Sequence, residues 1–555
     1  MIRVTMPDKS VREVPEGTSL ADLAAAWQDT LDSPVAEGIV NGAGANLNMP
    51  LTEDCTVGFL PLNSAEGNRA YVRSLLFLFV AAASELYPDV HVEVRNSLGT
   101  ALYCVTHEGR FSAEMLRNID GRMREYISRK EPIEFVLVSR KLAIDSVVDD
   151  PVLGKDRIGL LEMRPDLEKI PVSRIRDHFE FFLEPLLPST EYLGAFEILP
   201  FEDGFVLNYP EEGNYTKVEP WDRHRRINTI YHEAEEWAAM IGCNTISKLN
   251  RLIRAGKSGQ IVRVAEALQE KKIAQMADYV ACHKDKLRFV LIAGPSSSGK
   301  TSFSQRLSVQ LEVNGLQAIP ISMDNYYRNR EDTPRKPDGS FDYESIDAID
   351  RELFNKDLQS LLEGKSVRLP KFNFKTGRRE YSGEIMQCEE NSIFVIEGIH
   401  ALNRQTSASI PAENKLKIFV SALTPMSIDN YNRIHTTDMR LLRRMVRDFQ
   451  FRSHDALATI EGWPSVREGE EKYIFPCQEE ADMFFNTSLL YEPAVLRKYA
   501  EPLLRDIRPE QGGAYLVASR LLVLLSLIEP MEETAIPNNS ILKEFIGGST
   551  FAAAL

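Results

Sequence analysis

The stretch Lys286–Gly315 reads KLRFVLIAGPSSSGKTSFSQRLSVQLEVNG. It opens on five consecutive apolar residues, Phe289 to Ala293, the composition of a strand buried on both faces. The next eight residues are Gly294, Pro295, Ser296, Ser297, Ser298, Gly299, Lys300 and Thr301, which match G-x-x-x-x-G-K-[ST] at every position. Beyond Ser302, Phe303, Leu307 and Leu311 recur at helical spacing until Gly315 stops the run. Strand, glycine loop and helix in this order predict a phosphate-binding loop at residues 294–302. Small side chains let the loop N–H groups converge on an anion, and the dipole of a helix starting near Lys300 adds to the field. Lys300 is expected to reach the terminal phosphates as a point charge, and the Thr301 hydroxyl to ligate Mg²⁺.

The chain length of 555 residues predicts about three to four domains. Apolar content of 43% and charged content of 26% place it among ordinary globular proteins. No apolar run approaches the ~20 residues of a membrane span. Leu75–Ala83 and Leu521–Leu527 are shorter and read as core helices, and MIRVTMPDKSVREV lacks the apolar centre of a signal peptide. Cysteines 55, 104, 243, 282, 388 and 477 form no C-x-x-C, so neither a zinc site nor a disulfide framework is expected, in keeping with a cytoplasmic protein. A net charge of −16 argues against a broad nucleic-acid-binding surface, and any phosphate site needs locally concentrated Arg and Lys.

Downstream of Gly315, strand-like and helix-like segments alternate, which predicts a parallel α/β sheet. Strands are expected at 318–323, 391–396, 416–420 and 482–485. The first two end on Asp324 and Glu397. Ligands in such sheets bind at the carboxyl ends of the strands, so two acids beside the loop make a coherent site, although a strand-end acid can also cap the next helix. Arg440, Arg443, Arg444 and Arg447 stand at i, i+3, i+4 and i+7, on one helical face. Four like charges there form either a solvated basic face or an anion site. Leu441, Leu442, Met445 and Val446 fall on the other side.

With the loop, the segments SMDNYYR (322–328), FDYESIDAID (341–350), LPKFNFKTGRR (369–379), VIEGIHAL (395–402) and MRLLRRMVRD (439–448) resemble the uridine–cytidine kinases of the phosphoribulokinase/uridine kinase family. The resemblance covers 287 to about 505 and implies ATP and Mg²⁺ as cofactors and a small nucleoside as substrate. It implies Asp324 as the catalytic base toward the sugar 5′-hydroxyl and Glu397, with Asp324 and Thr301, at the metal. Asp342 corresponds to the acid that grips the ribose hydroxyls. Tyr327, Phe372 and Arg452 correspond to the nucleoside's surroundings. The arginine segment corresponds to the lid, with Arg444 and Arg447 at the transferring phosphoryl group and Arg440 and Arg443 on the nucleotide. Three positions depart: the base-reading histidine falls on Gly377, a lid arginine on His454 and a base-contacting glutamine near Gly462. The segment WPSVREGEEKYIFP (463–476) also differs. Gly377 leaves room for a larger ring, so broad or purine acceptance is expected in place of uridine specificity. The pair Arg378 and Arg379 either closes the pocket or faces solvent.

Residues 1–62 alternate short strands with one helix over Thr18–Trp27, and MPDKSVREVPEGTSLADLA resembles the TGS domain of threonyl-tRNA synthetases; an unrelated ubiquitin-like β-grasp module reads the same way. Residues 66–218 resemble the editing domain of those synthetases, but the H-x-x-x-H pair falls on Arg73 and Phe77 and the C-x-x-x-H pair on Phe182 and Leu186. A filled pocket and no editing chemistry are expected. His107 and His178 are assigned no role. Residues 219–285 predict a helical connector with Ile261, Val264, Ala265, Leu268, Ile273, Met276 and Val280 in one stripe and a register break near Glu270. Its cluster Arg223-His224-Arg225-Arg226 is either an RNA contact or a salt-bridged face. Residues 286–510 are the P-loop domain, and 511–555 are expected as helices packed on it.

The expected fold class is α/β: a P-loop kinase domain with a parallel sheet, preceded by a β-grasp TGS domain and an α+β synthetase-like domain. The expected function is ATP- and Mg²⁺-dependent phosphorylation of a nucleoside 5′-hydroxyl. The alternative is a nucleotide-binding RNA or tRNA interaction protein; nucleic acid is compatible with the sequence but not favoured, and a homo-oligomer is compatible with it.

Overall fold

The strands around the loop join in one parallel sheet. Its order is Gln317–Ser322, Ser392–Glu397, Phe289–Ala293, Lys415–Ser421 and Met483–Asn486, so the loop strand is central. All four pairings are parallel. This is the computed structural model of the chain, and it describes residues 1–150, 152–222, 225–337, 339–373, 376–381, 385–387 and 389–551, without the Arg225 side chain. Phe289–Ala293 is buried at every position, as its unbroken apolar run requires. On one face it meets Phe303, Leu307 and Leu311 of the loop helix, Lys300–Val313. On the other it meets Phe354, Leu358 and Leu361 of Arg351–Leu362.

The connector forms three helices, Arg225–Ile241, Ile246–Arg254 and Ser258–Cys282. The last departs from the expected stripe. Val264 is 39% exposed and Val262 is buried in its stead. The helix runs through Glu270 unbroken, because the stripe position between Ala265 and Ile273 is taken by buried Gln269. A polar residue belongs there because Arg306 of the loop helix is buried against it: Arg306 donates to Gln269 at 3.3 Å, Glu266 at 3.4 Å and Glu270 at 2.6 Å.

The first module is a mixed sheet, Val11–Val14, Ile2–Thr5, Cys55–Pro61, Val35–Val40 and Ala43–Ala45, in that order. Its helix, Leu20–Ala25, starts on a capping box between Ser19 and Asp22. The second module is built on the helix Ala65–Leu86, whose middle is apolar all round and accordingly buried all round. It packs in one core with the antiparallel sheet Glu197–Phe201, Gly204–Asn208, Ala101–Thr106 and Val92–Leu98. A smaller sheet joins Glu134–Ser139, Lys169–Ile175 and His178–Glu180.

The C-terminal segment does more than cover the P-loop domain. Its helix Gly513–Ser526 lies against Glu492–Arg505 but also against the first module, where a Cβ on Gly42 would stand 2.5 Å from the Tyr515 ring. Among the described residues no helix is long and apolar enough to cross a membrane.

Phe77 is fully buried and meets Phe182 edge-on at 5.5 Å. Phe77→Ala should therefore lower the stability of the second module by roughly 3–5 kcal/mol. Val264→Asp, at an exposed site, should stay within about 0.5 kcal/mol. Denaturant titration with near-ultraviolet circular dichroism reads both.

Candidate functional site

The loop owes its shape to two missing side chains and to three carbonyls held from outside. A Cβ on Gly294 would lie 1.9 Å from the Val420 carbonyl oxygen of the neighbouring strand. Gly299 adopts φ of +80°, and a Cβ there would stand 2.6 Å from Ile541. Ser297 also takes a left-handed φ of +59°. The carbonyl of Ser296 accepts from Arg440 Nε at 2.9 Å, that of Ser297 from Arg443 Nη1 at 3.3 Å, and that of Ser298 from Thr487 Oγ1 at 2.6 Å. With those carbonyls drawn outward, the peptide units turn their N–H groups to the other side.

Two carboxylates already sit on this anion-seeking backbone. Glu470 accepts from the Ser296 N–H at 2.9 Å. Glu544 accepts from the Ser302 N–H at 3.1 Å and its hydroxyl at 2.6 Å, in the first turn of the loop helix. Lys300 Nζ donates to the Pro295 carbonyl at 3.0 Å.

The two strand-end acids arrive on adjacent strands. Ser322 pairs with Glu397 in the parallel register, and its hydroxyl donates to Glu397 at 2.8 Å. Asp324 follows in the turn Met323–Tyr326. Burial pushes the Asp324 carboxyl upward, against the pull of Lys300 and Arg452. Burial, with Asp324 nearby, lifts Glu397 to about 7, while Lys300 opposes. Burial also lowers the Lys300 ammonium, and Glu397 and Asp324 work to raise it. Lys300 thus stands among buried acids, with the Arg452 guanidinium also acting on Asp324. Asp324 and Glu397 are carboxyls of the kind that could hold a divalent cation there.

Glu344 was not singled out in the sequence. It stands in this field and burial lifts it to about 7, with Arg444 countering. The only signal was its place in FDYESIDAID, two residues after Asp342. Asp342 itself is half-buried and donates its N–H to the Pro334 carbonyl at 2.8 Å. Tyr327 and Phe372 come together, ring centroids 5.7 Å apart. Arg452 is exposed, 3.7 Å from Asp448, and its charge reaches Asp324.

The arginine helix, Thr436–Phe451, is not two-faced as its spacing suggested. Arg440 and Arg443 are 1% and 0% exposed, and the leucines opposite are buried too. Three carboxylates offset the four charges, with Arg444 and Arg447 sharing Asp448. Arg440 pairs with Glu470. Arg443 pairs with Glu492 and donates to the Thr487 carbonyl at 3.0 Å. Arg447 bonds Asp448 at 2.8 Å. Arg444 donates to the Ser296 hydroxyl at 2.7 Å and lies 3.3 Å from Asp448. Glu470 opens a π-helical turn, Glu470–Ile474, at the end of Ala456–Gly469, so the unusual 463–476 segment delivers a carboxylate to the loop.

The reading of Gly377 is corrected. Its φ of +67° makes it a turn glycine, and a Cβ there would lie 2.8 Å from Arg330 Nε, so Arg330 holds the space expected to be open. Arg379 bonds Asp350 at 2.9 Å and Arg378 faces solvent near Glu331. His454 and Gly462 are exposed. Of the basic cluster, Arg223 and His224 lie outside the described residues, and Arg226 donates to the carbonyls of Glu479 and Ala481 at 3.0 and 2.7 Å.

In the second module, Arg73 donates to Glu184 at 2.6 Å and to the Pro185 carbonyl. Phe77, Phe182 and Leu186 are buried in one core, which leaves those four positions no nucleophile or metal ligand.

A strand, a phosphate loop and strand-end acids in a parallel sheet are the parts of a P-loop phosphotransferase. Residues 289–489 match the model of the "Phosphoribulokinase / Uridine kinase family", so the C-terminal half carries a domain of that family. The chain is 28% identical over 199 residues to the uridine kinase of Macrococcus caseolyticus, covering 36% of this chain and 87% of that one. It is 27% identical over 202 residues to the threonine–tRNA ligase of Acetivibrio thermocellus, covering 36% of this chain. The chain spans only 31% of that ligase's length. A Bacillus stearothermophilus structure described as a possible uridine kinase matches with a TM-score of 0.27 at 15% identity, over 39% of this chain and all of that one.

Two outcomes follow from the geometry. Glu344 and Glu397 hold protons to about 7 in the fold, against the ordinary ~4.3 of a glutamate. Their stabilising contribution is therefore complete below about pH 4.3 and is lost as pH rises through 7. The thermal midpoint should fall over that window, Glu397→Gln should fall less, and added Mg²⁺ should flatten the wild-type slope. Separately, the full chain should hydrolyse no seryl- or threonyl-tRNA above background, measured by release of the labelled amino acid.

Proposed function

We propose that the C-terminal half transfers the γ-phosphoryl group of ATP to the 5′-hydroxyl of a nucleoside, with Mg²⁺. The observation that carries this reading is the meeting of Lys300, Asp324 and Glu397 at the ends of adjacent parallel strands beside the phosphate loop. Phosphoryl transfer asks little of a protein beyond alignment and charge neutralisation. Loop N–H groups and Lys300 would hold the phosphate chain. Asp324, its pKa raised by burial, is suited to take the proton from the attacking hydroxyl as the P–O bond forms. Asp324 and Glu397 would hold Mg²⁺, which would supply charge neutralisation. Arg444, on the Ser296 hydroxyl, is placed to meet charge that develops as the phosphoryl group moves.

In the same reading Asp342 accepts from the ribose hydroxyls, and Tyr327 and Phe372 flank the base. Arg330 over Gly377 brings a group that only donates hydrogen bonds. In the basic cluster that suggested the RNA-binding alternative, Arg226 turns its Nη1 to backbone carbonyls.

Lys300→Ala should abolish turnover and weaken ATP binding. Asp324→Asn should keep ATP affinity near normal and lower the rate by about 10²-fold or more. Labelled ATP with a panel of ribo- and deoxyribonucleosides tests both. No phosphorylation of any nucleoside would overturn the proposal, and equal use of deoxy forms would remove Asp342 from its role.

A further inference from the structure

The turn Lys543–Ile546 lies on the phosphate loop, and residues 540–546 are buried without a break. The turn meets the loop and its supports at three places. A Cβ on Gly299 would stand 2.6 Å from Ile541. Phe545 lies beneath the Arg443 guanidinium, its ring centroid 4.9 Å away. Between them, Glu544 accepts from the Ser302 N–H at 3.1 Å and from the Ser302 hydroxyl at 2.6 Å. Lys543 fixes the turn from behind, donating to Glu533 at 2.9 Å.

The two carboxylates on the loop backbone differ in what balances them. Glu470 carries the guanidiniums of Arg440 and Arg467, the second at 3.1 Å. Its charge belongs to the framework behind the loop. Glu544 is 8% exposed, and among the described residues no Lys, Arg or His side chain pairs with it. Its hydrogen bonds run to Ser302 alone. Its charge bears on the Lys300 ammonium, which burial lowers and which Glu397, Asp324 and Glu544 work to raise. A buried carboxylate without a counter-ion is costly. What offsets that cost is the N–H, the hydroxyl and the dipole of the first turn of the loop helix. These are the donors that a phosphate oxygen would use.

We propose that the turn is autoinhibitory: Glu544 occupies an anion position of the phosphate loop, and the phosphate chain of a nucleotide binds only by displacing that carboxylate. The inference rests on the phosphotransfer reading of the loop. One N–H cannot serve both oxygens in full, and two anions at one helix start repel each other. Helix starts are ordinarily capped by the residue just before them, but here that residue is Gly299, which has no side chain to bond. The acceptor arrives instead from 242 residues further on. Only the carboxylate has to move. Ile541 and Phe545 belong to the core behind the sheet, so the turn stays in place while the Glu544 side chain swings off Ser302.

The test titrates the full-length wild type, Glu544→Gln and Glu544→Ala calorimetrically with ATP in the presence of Mg²⁺, and with adenosine as the ligand that brings no phosphate. Both variants should bind ATP about three- to tenfold more tightly than wild type, because each removes the competing charge. Adenosine should bind all three proteins alike. A group that served only as a cap predicts the reverse, since its loss loosens the first turn of the loop helix and weakens ATP binding. Glu544→Gln keeps the shape of the side chain, and Glu544→Ala removes the acceptor altogether, so either folded variant suffices. Unchanged or weaker ATP binding by the folded variants would overturn the inference, as would an equal gain for adenosine. With ATP bound by the wild type, both of those results leave the phosphotransfer reading standing. Absence of ATP binding from all three proteins would overturn that reading and this inference with it.

Discussion

Two guanidiniums that water cannot reach organise the catalytic half. Arg440 and Arg443 are among the largest fully buried side chains of the chain. A buried charge is tolerated only where it is paired and its hydrogen-bonding capacity is used. Here the partners come from separate places: Glu470 from a π-helical turn, Glu492 from the helix after the last strand, Thr487 from the strand end, and carbonyls from the loop itself. None of these elements can shift without stripping a charge of its partner, a penalty of about 3–5 kcal/mol. The loop is held open by salt bridges behind it, not by contacts in front.

The front of the site has the opposite balance. Asp324, Glu397 and Glu344 gather around Lys300, with Arg452 acting on Asp324 and Arg444 on Glu344, and burial lifts both glutamates to about 7. A protein that only needed stability would replace such groups by apolar ones. Perturbed carboxyls at the carboxyl ends of parallel strands mark the place where such sheets take ligands.

What the sequence disclosed was what neighbours in the chain decide. The loop, its strand and its helix are contiguous, and strand ends at 324 and 397 follow from apolar runs. Arginine spacing disclosed a concentration of charge but not its partners, because Glu470 lies 30 residues from Arg440 and Glu492 lies 49 from Arg443. Glu544 lies 242 residues from Ser302. No periodicity carries information across such separations. Gln269 misled in a different way: a polar residue within an apolar stripe resembles a register break until its partner, Arg306, is seen. Gly377 read as vacancy because the neighbour that fills it, Arg330, sits in another loop.

The contacts of Ile541 and Glu544 also set an order of events. Ile541 closes on Gly299, and Glu544 caps the loop helix at Ser302. A ribosome that has delivered the whole parallel sheet, through Asn486, has not yet delivered either residue. The nascent chain at that point has every strand of the sheet but not every residue that shapes the loop. Synthesis runs from the N-terminus, so the first two modules precede the loop, and the last helices complete it. A chain that stops before residue 541 lacks both the residues that shape the loop and Ile541 and Phe545 of the core behind the sheet.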